Sequence, residues 1–518
     1  MYSYQIYLAV FNLRGNCRTS GEQRRKESGN VFGEGSRTPI SITILVRKPK
    51  KSTEDLATIL YKDIGDYLTR EDKLKAIQSC GSILSNSMGL SSIAPNEVED
   101  WINQRDGLFE TFIPLGDKNA KNENAIFTPC YSCGVKTNRD SWVYNFSRKD
   151  LERNISSMID FYNANVEELL SERKSTPQSP SDQIIHLDSH KISWTRGLRN
   201  DFEKGKKHPF LPDCIQTATY RPFVKQHYYF DRAFNDMVYQ IPRLFPTPQS
   251  KNLVICVSGV GAKTFSTLMT DEIPDLHILE SGTQCFPLYW YERCDHDALS
   301  LFDNTEEGFR RHSAMSDFSL QRFRESFGPK VSAEDIFYYV YGILHVREYR
   351  ERFASDLQKS LARLPLVEDV RTFKVFVTTG RKLAALHLNY ETIEPHPSVI
   401  IENDSATPRV QQMRFGKKNG EEDRSIIIFN ESIRIVNIPL RAYEWHVNGK
   451  SPIEWIMERY AVTVNKDSQI RNDPNEWCAE HGNPRYILDL IGRIVNVSVQ
   501  TLDLIAALPP LSFKPAAD

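Results

Sequence analysis

The chain has 518 residues, of which 40% are hydrophobic, 25% charged and 11% aromatic, with a formal net charge of −2. That is enough apolar material for a large core and two or three domains, and the near-neutral total excludes a polycation. No apolar run approaches the roughly 20 residues of a membrane span and no basic-then-apolar leader opens the chain, so no membrane partner and a cytoplasmic location are expected.

The nine cysteines, odd in number and irregularly spaced, fit reduced thiols rather than a disulfide framework. Residues 4–51 read as strand, basic glycine-rich connection, strand. Ile6 to Leu13 is an apolar run, and Ile40, Ile42, Ile44 and Val46 alternate with Ser41, Thr43 and Leu45. The connection is longer than a hairpin needs, which is the mark of a functional loop. Residues 1–51 hold ten Lys/Arg against three Glu, a local basic surface suited to a phosphate backbone. An apolar strand begun so close to Met1 predicts the last strand pair of a larger α/β sheet. Next, Ser52 or Thr53 reads as a helix cap with Leu56, Ile59 and Leu60 on one face. Thr69 to Asp72 starts a second helix carrying Leu74 and Ile77. Ser85–Glu97 reads as a loop and a boundary.

Trp142, Tyr144 and Phe146 alternate like a strand behind a polar turn, Gly134–Asp140. Ser147 caps a long helix with Leu151, Ile155, Ile159, Tyr162, Val166 and Leu169 along one face. It runs out in the polar stretch Glu172–Gln183. Residues 191–232 are basic again, with nine Lys/Arg against four acids and interleaved aromatics. Such cations hold phosphates, and such rings pack the scaffold or stack on bases. Ser332 and Asp335 form a capping box before Ile336, Tyr339, Val340, Ile343 and Leu344. A second amphipathic stretch carries Phe353, Leu357, Leu361 and Leu364, with Arg347 and Arg350 on or beside its polar side. Arg424–Pro439 reads as a hairpin turning at Asn430-Glu431. Ser451, Pro452 and Glu454 open another capped helix, and the last helix runs from Asn483-Pro484 to before Pro509.

Several fragments imitate catalytic motifs. Ser258–Thr264 follows a strand but has Ala262 where a phosphate loop needs its last glycine. Cys130-x-x-Cys133 lacks a second ligand pair at ribbon spacing, and His186-x-Asp188-x-His190 lies in a polar stretch. No catalytic, cofactor-binding or metal-ligating residue is expected in this chain.

The stretch FNLRGNCRTSGEQRRKESGNVFGEGSRTPISITILVRKP (Phe11–Pro49) resembles the end of the adenine-N6 methyltransferase domain of Type ISP restriction–modification enzymes. The resemblance continues through Thr219–Phe223, Tyr239–Thr247, Glu334–His345, Asn448–Tyr460, Arg471–Trp477 and Gly482–Leu490. It implies a mixed α/β (α+β) fold. Residues 1–84 would be the terminal strands of a methyltransferase-type sheet with connecting helices. Residues 85–330 and 331–518 would be the two parts of a large α+β target-recognition domain, the second helical and hairpin-containing.

The function implied is sequence-specific recognition of double-stranded DNA. In the family the full-length enzyme methylates adenine at N6 and cleaves DNA with ATP, so S-adenosylmethionine, ATP and Mg2+ are implied for it. Its methylase needs a glycine-rich turn for the cofactor and a D/N/S-P-P-aromatic motif for the flipped adenine. The only Pro-Pro pair here, Pro509-Pro510, lies between Leu508 and Leu511. The chain alone is therefore expected not to methylate DNA, and the resemblance places the methylase motifs, translocase and nuclease upstream of Met1. Two alternatives stand beside this: a methyltransferase completed in trans by a separate catalytic polypeptide, and an inactive truncated gene product. On DNA, Arg14, Arg18, Arg24, Arg25 and Arg37 would line the methylase side. Lys136, Asn138, Arg139, Arg221, Lys225, Arg347 and Arg350 would lie on the recognition side.

Overall fold

The structure is a computed structural model that describes residues 4–19, 21–49, 57–82, 85–117, 124–128, 130–176, 182, 184–294, 305–306 and 308–513. The chain divides into two compact units. The first is Met1–Phe109 with Asn448–Lys450, the second Glu110–Val447 with Ser451–Asp518.

The first unit is built on β1 (Tyr4–Arg14), α1 (Gly21–Glu27), β2 (Ile40–Pro49), β3 (Thr58–Asp63), α2 (Arg70–Cys80) and β4 (Ser91–Ile93). The sheet order is β2-β1-β3-β4. β1 and β2 pair antiparallel from Tyr4↔Pro49 to Arg14↔Ile40, and β3 runs parallel to β1. Phe11 and Leu13 of β1 pack with Val31, Cys80 and Met88.

Two sequence expectations are corrected in this unit. Ile59 and Leu60 belong to a strand, not a helix. So short an apolar run fits either period, and pairing with β1, which local sequence cannot show, decides it. The expected caps Ser52 and Thr53 lie outside the described residues. Within Ser85–Glu97, Ser91–Ile93 is not loop but pairs antiparallel with β3. Thr69 does cap α2, its side chain and that of Asp72 bonding each other's backbone N–H. The side chains that α2 buries, however, are Lys73 and Cys80, while Leu74 is exposed.

The second unit holds, among the described residues, three four-stranded sheets. One joins Ile215–Arg221 and Val224–Tyr229 to Ile273–Pro274 and Tyr144–Asn145. Another centres on Val254–Val257 and Gln284–Pro287. The third contains the hairpin of Glu421–Ile428 and Arg434–Val436, as the sequence predicts.

Ser147 caps Arg148–Ser175, and all six apolar residues expected on one face of that helix are buried. Each such side chain removed from water contributes about 1.5–3 kcal/mol. Ser332 and Ser451 cap Ala333–Ile343 and Pro452–Arg459 with reciprocal boxes. Ala333–Ile343 lies against Val370–Leu388 so closely that a Cβ on Gly380 would stand 1.9 Å from the Tyr338 carbonyl oxygen.

The expected strand around Trp142 is shorter than its alternation implies. Asp140–Val143 is a helical turn, and only Tyr144–Asn145 pairs, with His227 and Tyr228. The Thr137 hydroxyl donates to the Asp140 carboxylate and curls the backbone there. The helical stretch after His345 breaks at Phe353 into Arg347–Arg352 and Ala354–Lys359, and Leu364 lies in a short strand. Among the described residues no helix is long and apolar enough to cross a membrane.

Candidate nucleic-acid interface

In the first unit, the connection between β1 and β2 folds onto α2. Buried Lys73 donates from Nζ to the carbonyls of Glu27 (2.7 Å) and Gly29 (2.8 Å). Burial lowers its pKa, opposed by the charge of Glu27. The Asn30 amide donates to Gly15 O (3.1 Å) and Thr38 O (2.7 Å), tying the two ends of the connection together. On this frame Arg18, Arg25 and Arg37 are exposed and Arg24 is half-buried. Arg14 differs. It sits at the end of β1 with φ of 55° and forms ion pairs with Asp63 (2.7 Å) and Asp66.

In the second unit, two loops from distant parts of the chain are joined. Lys136 donates its N–H to Met237 O (2.8 Å), and Met237 donates to Lys136 O (2.9 Å). Val135 next door donates to Pro274 O (2.9 Å), which ties the pair to the sheet. Asp236 lies between the loops and accepts from Lys136 Nζ (2.9 Å) and Asn138 Nδ2 (2.9 Å). The Lys136 pKa is raised by this carboxylate.

Two residues of this pair have left-handed backbone, Asn138 at φ 53° and Tyr239 at φ 46°. Asparagine tolerates that region. A bulky aromatic does not, and holding it there costs about 1–3 kcal/mol. Met237 (47% exposed) and Tyr239 (39% exposed) point to solvent. They border a groove of about 1180 Å³ that Arg232, Asp236 and Arg243 also line. Sequence reading missed Met237 and Tyr239 as site residues. Their only signal is an apolar pair beside Asp236, and the bridge that presents them comes from Lys136, far away in sequence.

The other predicted contacts of this unit are engaged in the scaffold. Arg139 turns inward, 3% exposed, with Nη2 donating to Thr195 Oγ1 (2.9 Å), and burial pushes its pKa down to about 10. Arg221 lies over the Tyr220 ring (3.8 Å) and pairs with Asp275 (2.8 Å) and Asp140 (3.4 Å). Asp275 also accepts from the Tyr144 hydroxyl at 3.2 Å. Burial pushes the Asp275 carboxyl up to about 7 against the pull of Arg221. Lys225 pairs with Glu391 at 2.9 Å. Arg347 is exposed and pairs with Glu351 at 2.6 Å one turn on. Arg350 donates from Nε to Leu344 O (2.6 Å), and burial pushes its pKa down to about 10. Of the twelve predicted residues, then, Lys136 and Asn138 share one carboxylate, Arg24 and Arg37 line one cavity, and the other eight belong to neither set.

Two fragments that imitate cofactor motifs do not fit the cofactors of the full-length family. The backbone N–H groups of Gly259, Gly261 and Lys263 donate to Glu280 O, Gln358 O and the Glu280 carboxylate, and residues 258–266 form no helix. They cannot also cradle a nucleotide phosphate. Pro509-Pro510 follows the helix Tyr486–Ala506 with no polar side chain ahead of it to hold an amino group.

Comparison with known proteins agrees with a DNA-facing reading. A family model described as the Type ISP C-terminal specificity domain matches residues 125–490. A nuclease-deletion mutant of the Type ISP restriction-modification enzyme LlaGI, solved with a DNA substrate mimic, aligns at a TM-score of 0.83 and 39% identity. The match covers 98% of this chain and 44% of that one. The ATP-dependent Type ISP enzyme LlaBIII bound to DNA aligns at 0.82 and 34% identity, over 98% of this chain and 31% of that one. A DrdV–DNA complex aligns at 0.79 and 28% identity, over 98% and 48%. The chain thus spans less than half the length of each of these solved relatives. No curated protein matches.

Proposed function

The chain belongs to the Type ISP restriction–modification family, and from that premise we propose that it recognises one duplex DNA sequence, with its second unit as the reading body. The observation that carries this is the overlap of the specificity-domain match, residues 125–490, with the paired loops that present Asn138, Met237 and Tyr239. An amide, a thioether and a phenol held at fixed positions can meet base edges and methyl groups in a groove. Strain at Tyr239 is the kind kept where a side chain must face a ligand. The DNA-bound state of the relatives LlaBIII and DrdV supports the reading. Exposed Arg18, Arg25 and Arg37 would hold phosphates and so set register without reading sequence.

We also infer that further strands extend the sheet of the first unit at β2, whether from the same polypeptide or another. Among the described residues β2 is one of the two edge strands, and Ile42, Ile44, Leu45 and Val46 are all exposed along it. Methylation and cleavage would be the work of that larger assembly.

The test is selection from a pool of randomised duplexes by the purified chain. Enrichment of one adenine-containing site is expected, with the enrichment weakened by Tyr239→Ala and Asn138→Ala. Retention of random duplexes alone, equal for both variants, would refute target reading by this chain.

A further inference from the structure

A cavity of about 390 Å³ opens in the first unit, lined by Cys17, Arg24, Gly29, Asn30, Gly33, Ser36, Arg37 and Arg70. Three guanidinium groups and, among the described residues, no carboxylate line it. Arg24 Nη1 is shielded from water and has no hydrogen-bond partner among the described residues. Arg70 donates from Nε to Val31 O (3.2 Å), which holds its fork in place. Its ion-pair contact with Glu71 is long at 3.8 Å. Lys73 adds a buried ammonium beneath the floor, bonded to the Gly29 carbonyl. Glu27, three residues on from Arg24, already accepts from Asn16 N–H (3.0 Å) and Gln23 Nε2 (3.4 Å). The floor is rigid, because the Asn30 side chain donates to two carbonyls and accepts from Phe32 N–H (2.9 Å).

We infer that this cavity is a binding site for a phosphate group. Three planar forks offer more N–H donors than the two oxygens of a carboxylate can accept, whereas a phosphate presents acceptors on several sides. The phosphate of a duplex backbone and free inorganic phosphate share that chemistry. The backbone as source rests on the DNA recognition proposed above.

The experiment uses the full chain, a random-sequence duplex as probe, and the variants R37Q/R70Q and R37K/R70K. Affinity is measured between about 50 and 200 mM salt, and thermal unfolding is followed with and without inorganic phosphate. Arg37 is exposed, so its replacement leaves the packing intact. One lost phosphate contact flattens the salt dependence by about 0.9 in slope, roughly a threefold to fourfold smaller loss of affinity over that range. R37Q/R70Q is expected to show this flattening and R37K/R70K to keep the original slope.

If the slope holds but phosphate no longer raises the unfolding temperature of R37Q/R70Q, the site stands with free phosphate as its ligand. An R37Q/R70Q chain with both the original slope and the original phosphate response overturns the inference. A flattened slope in a chain that enriches no sequence would keep the phosphate site and discard target reading.

Discussion

The two units hold most of the cations expected to meet DNA differently, with Arg14 in the first and Arg139 and Arg350 in the second as exceptions. In the first, Arg18 and Arg37 are exposed without ion-pair partners among the described residues, and Lys73 is held by carbonyls rather than carboxylates. In the second, Lys136, Arg221, Lys225 and Arg347 each have a carboxylate within hydrogen-bonding distance. Both units contain a stretch that reads as basic from composition, residues 1–51 and 191–232. The difference teaches that net charge along a segment marks a candidate phosphate surface only where no distant acid folds back onto it. In the second unit these four cations brace a scaffold, and under the proposed function the neutral groups that the scaffold presents would carry recognition.

The largest effect expected from this contrast is at Arg221. Arg221→Ala leaves Asp275 buried and unpaired, which costs about 3–5 kcal/mol when one partner of a buried pair is removed. The denaturation midpoint of the second unit should fall accordingly, and adding Asp275→Asn should recover part of the loss. A loss under about 1 kcal/mol would mean that the pair is not structural.

Protonation sharpens the contrast next. The first unit contains no histidine. In the second, buried His387 has Nδ1 2.5 Å from the Tyr341 hydroxyl and Nε2 3.0 Å from Thr501 Oγ1. Burial, with Arg350 nearby, pushes its pKa down to about 3. The unfolded chain binds this proton near pH 6.5 and the native chain does not. Stability from this group is therefore complete above about pH 6.5 and declines as pH falls towards 3. Between pH 6.5 and 5 the decline is about 2 kcal/mol, and buried His227, pushed down to about 4, acts in the same direction. The Asp275 carboxyl, pushed up to about 7, acts in the opposite direction over this interval, so the share of His387 is read as the difference in hydrogen-exchange protection of the second unit between the wild-type chain and His387→Gln at the two pH values. His387→Gln should remove its share of the loss, and an unaltered pH dependence in that variant would rule the ring out.

What the sequence disclosed follows the range of the interactions. Thr69, Ser147, Ser332 and Ser451 were legible as caps because each bonds a backbone N–H three residues away. The face of Arg148–Ser175 was legible because its periodicity is local. Thr58–Asp63 was not, since a parallel partner reached across the chain settles it. The candidate site divides in the same way. Lys136 and Asn138 stand in a visible polar turn, but Asp236, Met237 and Tyr239 reach them from a loop with no sequence link to that turn. Arg221 and Lys225 looked available only because Asp275 and Glu391 lie far along the chain.

The smallest expected effect breaks the comparison deliberately, by turning a paired cation of the second unit into one like those of the first. Asp236→Ala removes the carboxylate that Lys136 and Asn138 share. The ion pair is partly exposed, so the stability lost is only about 0.5–1 kcal/mol. The Lys136 ammonium becomes available to a phosphate, while Asn138 loses the contact that orients its amide. Binding to random duplex should steepen in salt dependence by about 0.9, a threefold to fourfold change between about 50 and 200 mM. Enrichment of a preferred site should meanwhile weaken. Those two readouts move in opposite directions only if Lys136 and Asn138 both face DNA and Asp236 now restrains one and aims the other. A salt slope that does not change would leave Lys136 as a brace, like Arg221, and would put the phosphate contacts of this chain in its first unit.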